Sequence, residues 1–215
     1  MTKERQIKRA FFKAHRDYNI SLRELEQPKV TWKGDDPRTA VPVFDFTAFD
    51  ADMELADEFD FRLIPLTVTG FGNGLNSSVR TDLGKNVEEF AINGVPDTDP
   101  AYDRLMKLYY GELEKHLREK GWDLSRFWCD AFDEPNKDDY PMVCKIYRAI
   151  HKYAPWLTRV LTEQPEPEFL DCVDVLNPIL DQFESPHMDA AKKAGIRFKW
   201  YICNVPRTPY ITDCL

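Results

Sequence analysis

Two adjacent carboxylates, Asp133 and Glu134, are the residues of this chain best placed by type and spacing to do chemistry. Like charges held side by side raise the proton affinity of one of the two. One acid can then hold a proton near neutral pH while its neighbour stays ionised. The stretch that must position them runs from Arg126 to Asn136 and reads Arg-Phe-Trp-Cys-Asp-Ala-Phe-Asp-Glu-Pro-Asn. Phe127, Trp128, Cys129, Ala131 and Phe132 predict a buried strand, and Pro135, which has no N–H for a ladder, ends it. Period-two alternation puts Asp133 on the side of Phe127, Cys129 and Ala131, and alternation relaxes at Glu134, so both acids could share one pocket mouth. The competing reading is that Asp133 caps the helix after Pro135 and Glu134 favours that helix's positive end.

Other polar residues recur at predicted strand ends. Asp45 lies at the end of Val41–Phe46, Glu163 follows Thr158–Thr162, Asn177 lies late in Val173–Ile179, Trp200 and Tyr201 lie late in the Arg197 to Cys203 run, and Asn204 follows it. Helices are predicted between these runs. Ile7, Ala10, Phe11, Ala14 and Tyr18 form a first apolar stripe that Asn19 could end. A short acidic helix covers about Asp50 to Phe59, and Leu105, Leu108, Tyr109, Leu113 and Leu117 mark a helix over Ala101 to Lys120 closed by Gly121. Two more are predicted, from about Asp138 to Tyr153 and around Pro186 to Ala194. Gly70, Gly72 and Gly74 lack the spacing of a phosphate-binding loop and read as turn residues in a polar excursion after the apolar run Phe61 to Thr69.

Strand alternating with helix predicts parallel strands and an α/β fold. Polar residues gathered at strand carboxyl ends favour a (β/α)8 barrel over an open sheet. Too few strands are predicted to close eight, so the expectation is one domain over residues 1–215 that is a barrel lacking elements at one or both ends. Such a chain is expected to leave sheet edges or apolar surface open.

Composition narrows the function classes. Of 215 residues 43% are hydrophobic, enough for a substantial core, and 37 acids against 29 Lys and Arg leave a net charge of −8, which disfavours a nucleic-acid partner. Cys129, Cys144, Cys172, Cys203 and Cys214 show no C-x-x-C spacing and read as buried free thiols. His15, His116, His151 and His187 are scattered, and neither a metal nor a cofactor is expected. No run is apolar enough to span a bilayer and the charged start carries no signal-peptide pattern, so the chain as written is expected to be soluble, with its compartment undetermined.

From about Ala10 onward the chain resembles the catalytic domain of glycoside hydrolase family 123. The matching pieces are the His15-Arg16 helix, Val43-Phe44-Asp45-Phe46 with Phe49-Asp50, and Trp122 upstream of Phe132-Asp133-Glu134-Pro135. They continue with Tyr140-Pro141, Ala154-Pro155-Trp156-Leu157, Val173-Asp174-Val175 and Lys199-Trp200-Tyr201. Leu176-Asn177 stands where the resemblance leads one to expect an aromatic. The resemblance implies a (β/α)8 barrel and a β-N-acetylgalactosaminidase using substrate-assisted catalysis, with a carbohydrate bearing a terminal 2-acetamido sugar as partner. It implies that Glu134 is general acid and then base, and that Asp133 orients the acetamido group. Trp200 could stack on the sugar, Tyr201 could hold the acetamido oxygen, and Asp45, Glu163 and Asn177 could contact substrate. Two alternatives stay open: a conventional retaining glycosidase with Glu134 as acid/base and Glu163 as nucleophile, and a non-catalytic carbohydrate-binding or inactive barrel fragment.

Overall fold

The computed structural model describes residues 2–22, 25–71, 90–180 and 185–201. Gly72, Gly74, Cys203, Asn204 and Cys214 fall outside them. The chain divides into two compact units, Met1–Gly70 with Ala91–Trp128, and Phe71–Phe90 with Cys129–Leu215.

The first unit opens on helix α1 (Lys3–Asp17), whose Thr2 side chain accepts from Arg5 N. Asn19, at φ 54°, ends it in the left-handed conformation that asparagine tolerates, as predicted. The expected apolar stripe, however, is not the docking face. Ile7 is 62% and Phe11 43% exposed, and Phe12 is the buried residue, edge-on to Phe61 at 5.9 Å between centroids. The rest of α1's attachment is ionic: Arg5, Lys8 and Arg9 pair with Glu54, Asp52 and Glu58 of helix α2 (Thr47–Glu58). Asp52 is buried and also accepts from Glu26 N at 2.9 Å, so Lys8 compensates an acid taken out of water. Apolar side chains of α1 are left open.

Strand β1 (Lys29–Lys33), not among the strands predicted from sequence, pairs antiparallel with β2 (Val41–Asp45), Lys29 opposite Asp45 and Lys33 opposite Val41. Val41–Phe46 is therefore half of a two-stranded ribbon and not a strand of the parallel sheet. Short runs that bury one face pair locally when a turn joins them, and strand–helix alternation misreads such a ribbon. After β3 (Ile64–Pro65), a second ribbon joins β4 (Ala91–Ile92) to β5 (Val95–Pro96) across Asn93-Gly94, both at positive φ, which is the backbone a tight hairpin turn requires. Helix α3 (Ala101–Glu119) buries Leu105, Tyr109, Leu113 and Leu117 as predicted, with Gly121 at φ 75° just beyond its end.

Strand β6 (Phe127–Asp133) crosses from the first unit into the second. Ile64 and Pro65 of β3 run parallel to its first residues, Phe127 and Trp128. In the second unit β6 is followed by β7 (Thr158–Thr162), β8 (Val175–Leu176) and β9 (Arg197–Phe198). β7 to β8 and β8 to β9 are parallel, Val160 beside Val175 and Val175 beside Arg197. The order β3-β6-β7-β8-β9 makes one parallel five-stranded sheet in a mixed α/β protein. Burial of five of β6's seven residues is the continuous apolar pattern of strands covered on both faces. Helix α4 (Tyr140–Tyr153) links β6 to β7, and helix α5 (Met188–Lys193) links β8 to β9.

Within the second unit two buried polar groups hold the strands. The Tyr147 hydroxyl of α4 donates to Val160 O and accepts from Ala131 N, so one side chain satisfies a backbone group on each of β7 and β6. The guanidinium of Arg159 grips the Asp174 carboxylate through Nε at 2.9 Å and Nη2 at 2.8 Å. Cys129, Cys144 and Cys172 are buried free thiols, as expected, with the Cys172 Sγ 2.9 Å from Cys144 Sγ.

Candidate active site

Asp133 is the last residue of β6 and is exposed. At Glu134 the backbone turns to φ 46°. The other non-glycine residues at positive φ among the described residues are Asn19, Asp60 and Asn93, types that adopt this region readily. Glutamate does not, and such outliers gather where a side chain must be aimed. The strand geometry stops there, so alternation no longer fixes where the second acid points. Glu134 N still donates to Thr162 O at 2.8 Å, tying the turn to the end of β7, and buried Pro135 follows.

Helix capping is not what these acids do. Asn136 and Asp139 occupy the N-cap positions of the short 3-10 turn Lys137–Asp139 and of α4, and neither element takes a side-chain cap bond. The Glu134 carboxylate instead accepts from the Tyr201 hydroxyl, 67 residues away in the chain. Tyr201 is set by a parallel bridge to Ile179, its N–H donating to Pro178 O at 3.2 Å and its carbonyl accepting from Leu180 N at 3.0 Å. Of the neighbouring aromatics, alternation allows one to face the acids. Tyr201 does so, and Trp200 is 45% exposed.

Glu163 follows β7 and is half-buried. Burial pushes its carboxyl up, the Gln164 N–H at 2.8 Å pulls it down, and the charges of Glu134 and Glu166 push it up further, leaving its proton affinity raised. Glu166 in turn is bonded by Gln164 Nε2 at 3.1 Å and lies 3.4 Å from Lys137 Nζ and 3.7 Å from His187 Nε2. Asn177 sits one step past β8, where its Nδ2 donates to Thr162 Oγ1 at 3.3 Å, and that hydroxyl donates to Asp130 Oδ2 at 3.3 Å.

Asp133, Glu134, Glu163, Asn177, Trp200 and Tyr201 thus all belong to the second unit, at the ends of successive strands, whereas Asp45 belongs to the first. Asp45 is exposed at the end of an antiparallel strand, and its carboxylate accepts from Thr47 N at 2.9 Å at the start of α2. Bonds from Thr47 hold that carboxyl below the usual range. Thr162, Asp130, Glu166 and Lys137 were not singled out from sequence. Thr162 was legible in principle as the polar last residue of an apolar strand, but its partners are fixed only by the register of β7 with its neighbours.

Among the described residues no group of His, Cys, Asp and Glu has a metal-holding arrangement, and no helix is long and apolar enough to cross a membrane. A cavity of about 960 Å3 lies in the first unit, lined by Ile7, Lys8, Phe11, Leu25 and Asp52 among others, and includes none of the predicted site residues. Trp122 packs edge-on to Phe49 and donates to Asp57 Oδ2 at 3.1 Å.

A parallel α/β sheet collecting carboxylates at the carboxyl ends of its strands is the setting of an enzyme site. Residues 15–211 match the family model described as Glycoside hydrolase 123, catalytic domain. The chain belongs to glycoside hydrolase family 123; it is a glycosidase domain, and its substrate is a carbohydrate. A search of curated protein sequences gave no match.

Proposed function

We propose that this domain removes terminal β-linked N-acetylgalactosamine, or a related 2-acetamido sugar, with retention of configuration and by substrate-assisted catalysis. The observation that carries the reading is the Asp133-Glu134 pair at the end of β6, with the second acid held off the strand by its own left-handed backbone and by Tyr201. Glu134 protonates the departing glycosidic oxygen and later takes a proton from water. Asp133 orients the 2-acetamido group, whose oxygen attacks the anomeric carbon, and stabilises the cyclised cation that forms. No enzyme nucleophile is needed. Trp200 offers an exposed flat face for a pyranose, and Glu163 and Asn177 offer polar contacts beside the pair. The parallel sheet is read as part of a (β/α)8 barrel and residues 1–215 as one catalytic domain, because that architecture gathers its site from strand carboxyl ends.

A conventional mechanism would make Glu163 the nucleophile. A nucleophilic carboxylate must be ionised, and a half-buried acid facing Glu134 and Glu166 resists ionisation. Substitution Glu163→Gln separates the two. Under substrate assistance, turnover of a 2-acetamido glycoside at neutral pH stays within about tenfold of wild type. Loss on the order of a thousandfold, with azide restoring cleavage, would instead make Glu163 the nucleophile. Stability gives a second readout. A folded-state pKa above the ordinary 4.5 means that the native state binds the proton more tightly, so wild-type stability falls as pH rises from 4.5 through the folded value. Glu163→Gln, which does not titrate, should melt no lower than wild type at pH 7, and thermal scans between pH 4 and 7 would show wild type gaining on it as pH falls.

A further inference from the structure

We infer that Tyr201 is the positioning residue of Glu134: its hydroxyl fixes one carboxylate oxygen, so that the other oxygen is the one that exchanges a proton with substrate. The inference rests on the reading of Glu134 as acid and base, and goes beyond it by giving Tyr201 a partner in the protein in place of the sugar.

A phenol has one proton to donate. In this structure it is directed to Glu134 Oε1, so it is not available to a substrate carbonyl at the same time. Glutamate has two freely staggered side-chain torsions before its carboxyl, and a proton donor needs that carboxyl within hydrogen-bond reach of the leaving oxygen. Both ends are fixed here. At the backbone end, Glu134 N is bonded to Thr162 O, the φ of 46° is in a region glutamate seldom adopts, and Pro135 follows. At the carboxyl end, Tyr201 is anchored through its own N–H and carbonyl to Pro178 and Leu180 on either side of Ile179. The hydrogen bond therefore joins the end of β6 to the chain just past β9 and fixes Oε1.

The charged groups near it are Asp133, its neighbour in the chain, and Glu163 at the end of β7, on which the charges of Glu134, Glu166 and Lys137 all act. All are retained in Tyr201→Phe, which removes one oxygen from a half-buried ring. The variant should lose about tenfold in kcat with KM changed less than threefold, because the carboxyl is no longer held in place as proton donor while the contacts to the sugar remain. A tenfold or larger rise in KM with kcat little changed would place the hydroxyl on the sugar and overturn the inference, as would an unchanged enzyme. A readout independent of the reaction separates this from failure of the glycosidase reading. Proton NMR of the substrate-free protein should show a low-field hydroxyl resonance that disappears in Tyr201→Phe and moves upfield in Glu134→Gln. If that resonance behaves so but 2-acetamido glycosides are not cleaved, the positioning contact stands and the reaction is another. If the resonance is insensitive to Glu134→Gln, the contact is absent and the inference fails whatever the activity.

Discussion

Glu134→Gln should lower turnover of natural β-N-acetylgalactosaminides by about a hundredfold or more, while aryl glycosides with a good leaving group are cleaved at closer to the wild-type rate. The difference arises because an alkoxide must be protonated as it departs and a nitrophenolate need not be. Asp133→Asn should slow both substrate types, again by about a hundredfold or more, because orientation of the acetamido group and stabilisation of the cyclised cation are needed whichever group leaves. Steady-state rates on one natural and one activated substrate, for both variants, supply the test. Equal losses on the two substrates for Glu134→Gln would remove it from the acid role. The two side chains are adjacent and share one substrate, so the double variant should lose less than the product of the single losses.

Asp174→Ala should destabilise the protein by about 3 kcal/mol, the lower part of the range for breaking a buried ion pair, because the carboxylate is partly open while its partner is not. The Arg159 side chain is 8% exposed and that of Asp174 35%. Without Asp174 the guanidinium keeps a bond to Tyr147 O at 3.5 Å and loses its counter-charge. For a chain of this size the expected fall in Tm is roughly 6 to 12 °C. Replacing Arg159 by Met as well should recover part of it by removing the stranded charge. Burial pushes the Asp174 carboxyl up, but its bonds from Arg159 outweigh that and hold it below the ordinary 3.8. The contribution is therefore fully present above 3.8 and is lost as pH falls through the lower folded value, so the gap between variant and wild type should persist from pH 7 to pH 4 and narrow only below that. A gap that closes already between pH 7 and 5 would mean that another group carries it.

What sequence pattern made legible here was local. The heptad-like apolar spacing of α3 with Gly121 after it, Asn19 as the stop of α1, and the apolar run of β6 ending on two acids and a proline all depend on residues within a few positions of one another. What it missed was set at a distance. The stripe Ile7, Ala10, Phe11 and Ala14 is a genuine helical period, but α1 docks through cations whose partners lie about 50 residues later, and no periodicity encodes that. Val41–Phe46 looks like any other strand until Lys29–Lys33 is seen to pair with it, so Asp45 could be placed at a strand end but not in the right sheet. Asn93-Gly94 was a readable hairpin signal hidden inside a polar stretch. At the site, the pair Asp133-Glu134 stood out in the sequence, whereas the contact of Tyr201 with Glu134 and the bond of Asn177 to Thr162 follow from strand order and register.

Substrate assistance is the central claim, and it is tested most directly by comparing two aryl β-galactosides identical except that one carries a 2-acetamido group and the other a 2-hydroxyl. If the acetamido oxygen is the nucleophile, the protein cleaves the first and is slower on the second by on the order of a thousandfold or more, since the hydroxyl analogue lacks the internal attacking group. A thiazoline mimic of the cyclised intermediate should then inhibit strongly. Comparable rates on the two glycosides, with no inhibition by the thiazoline, would contradict the account and leave the Glu163 nucleophile in its place.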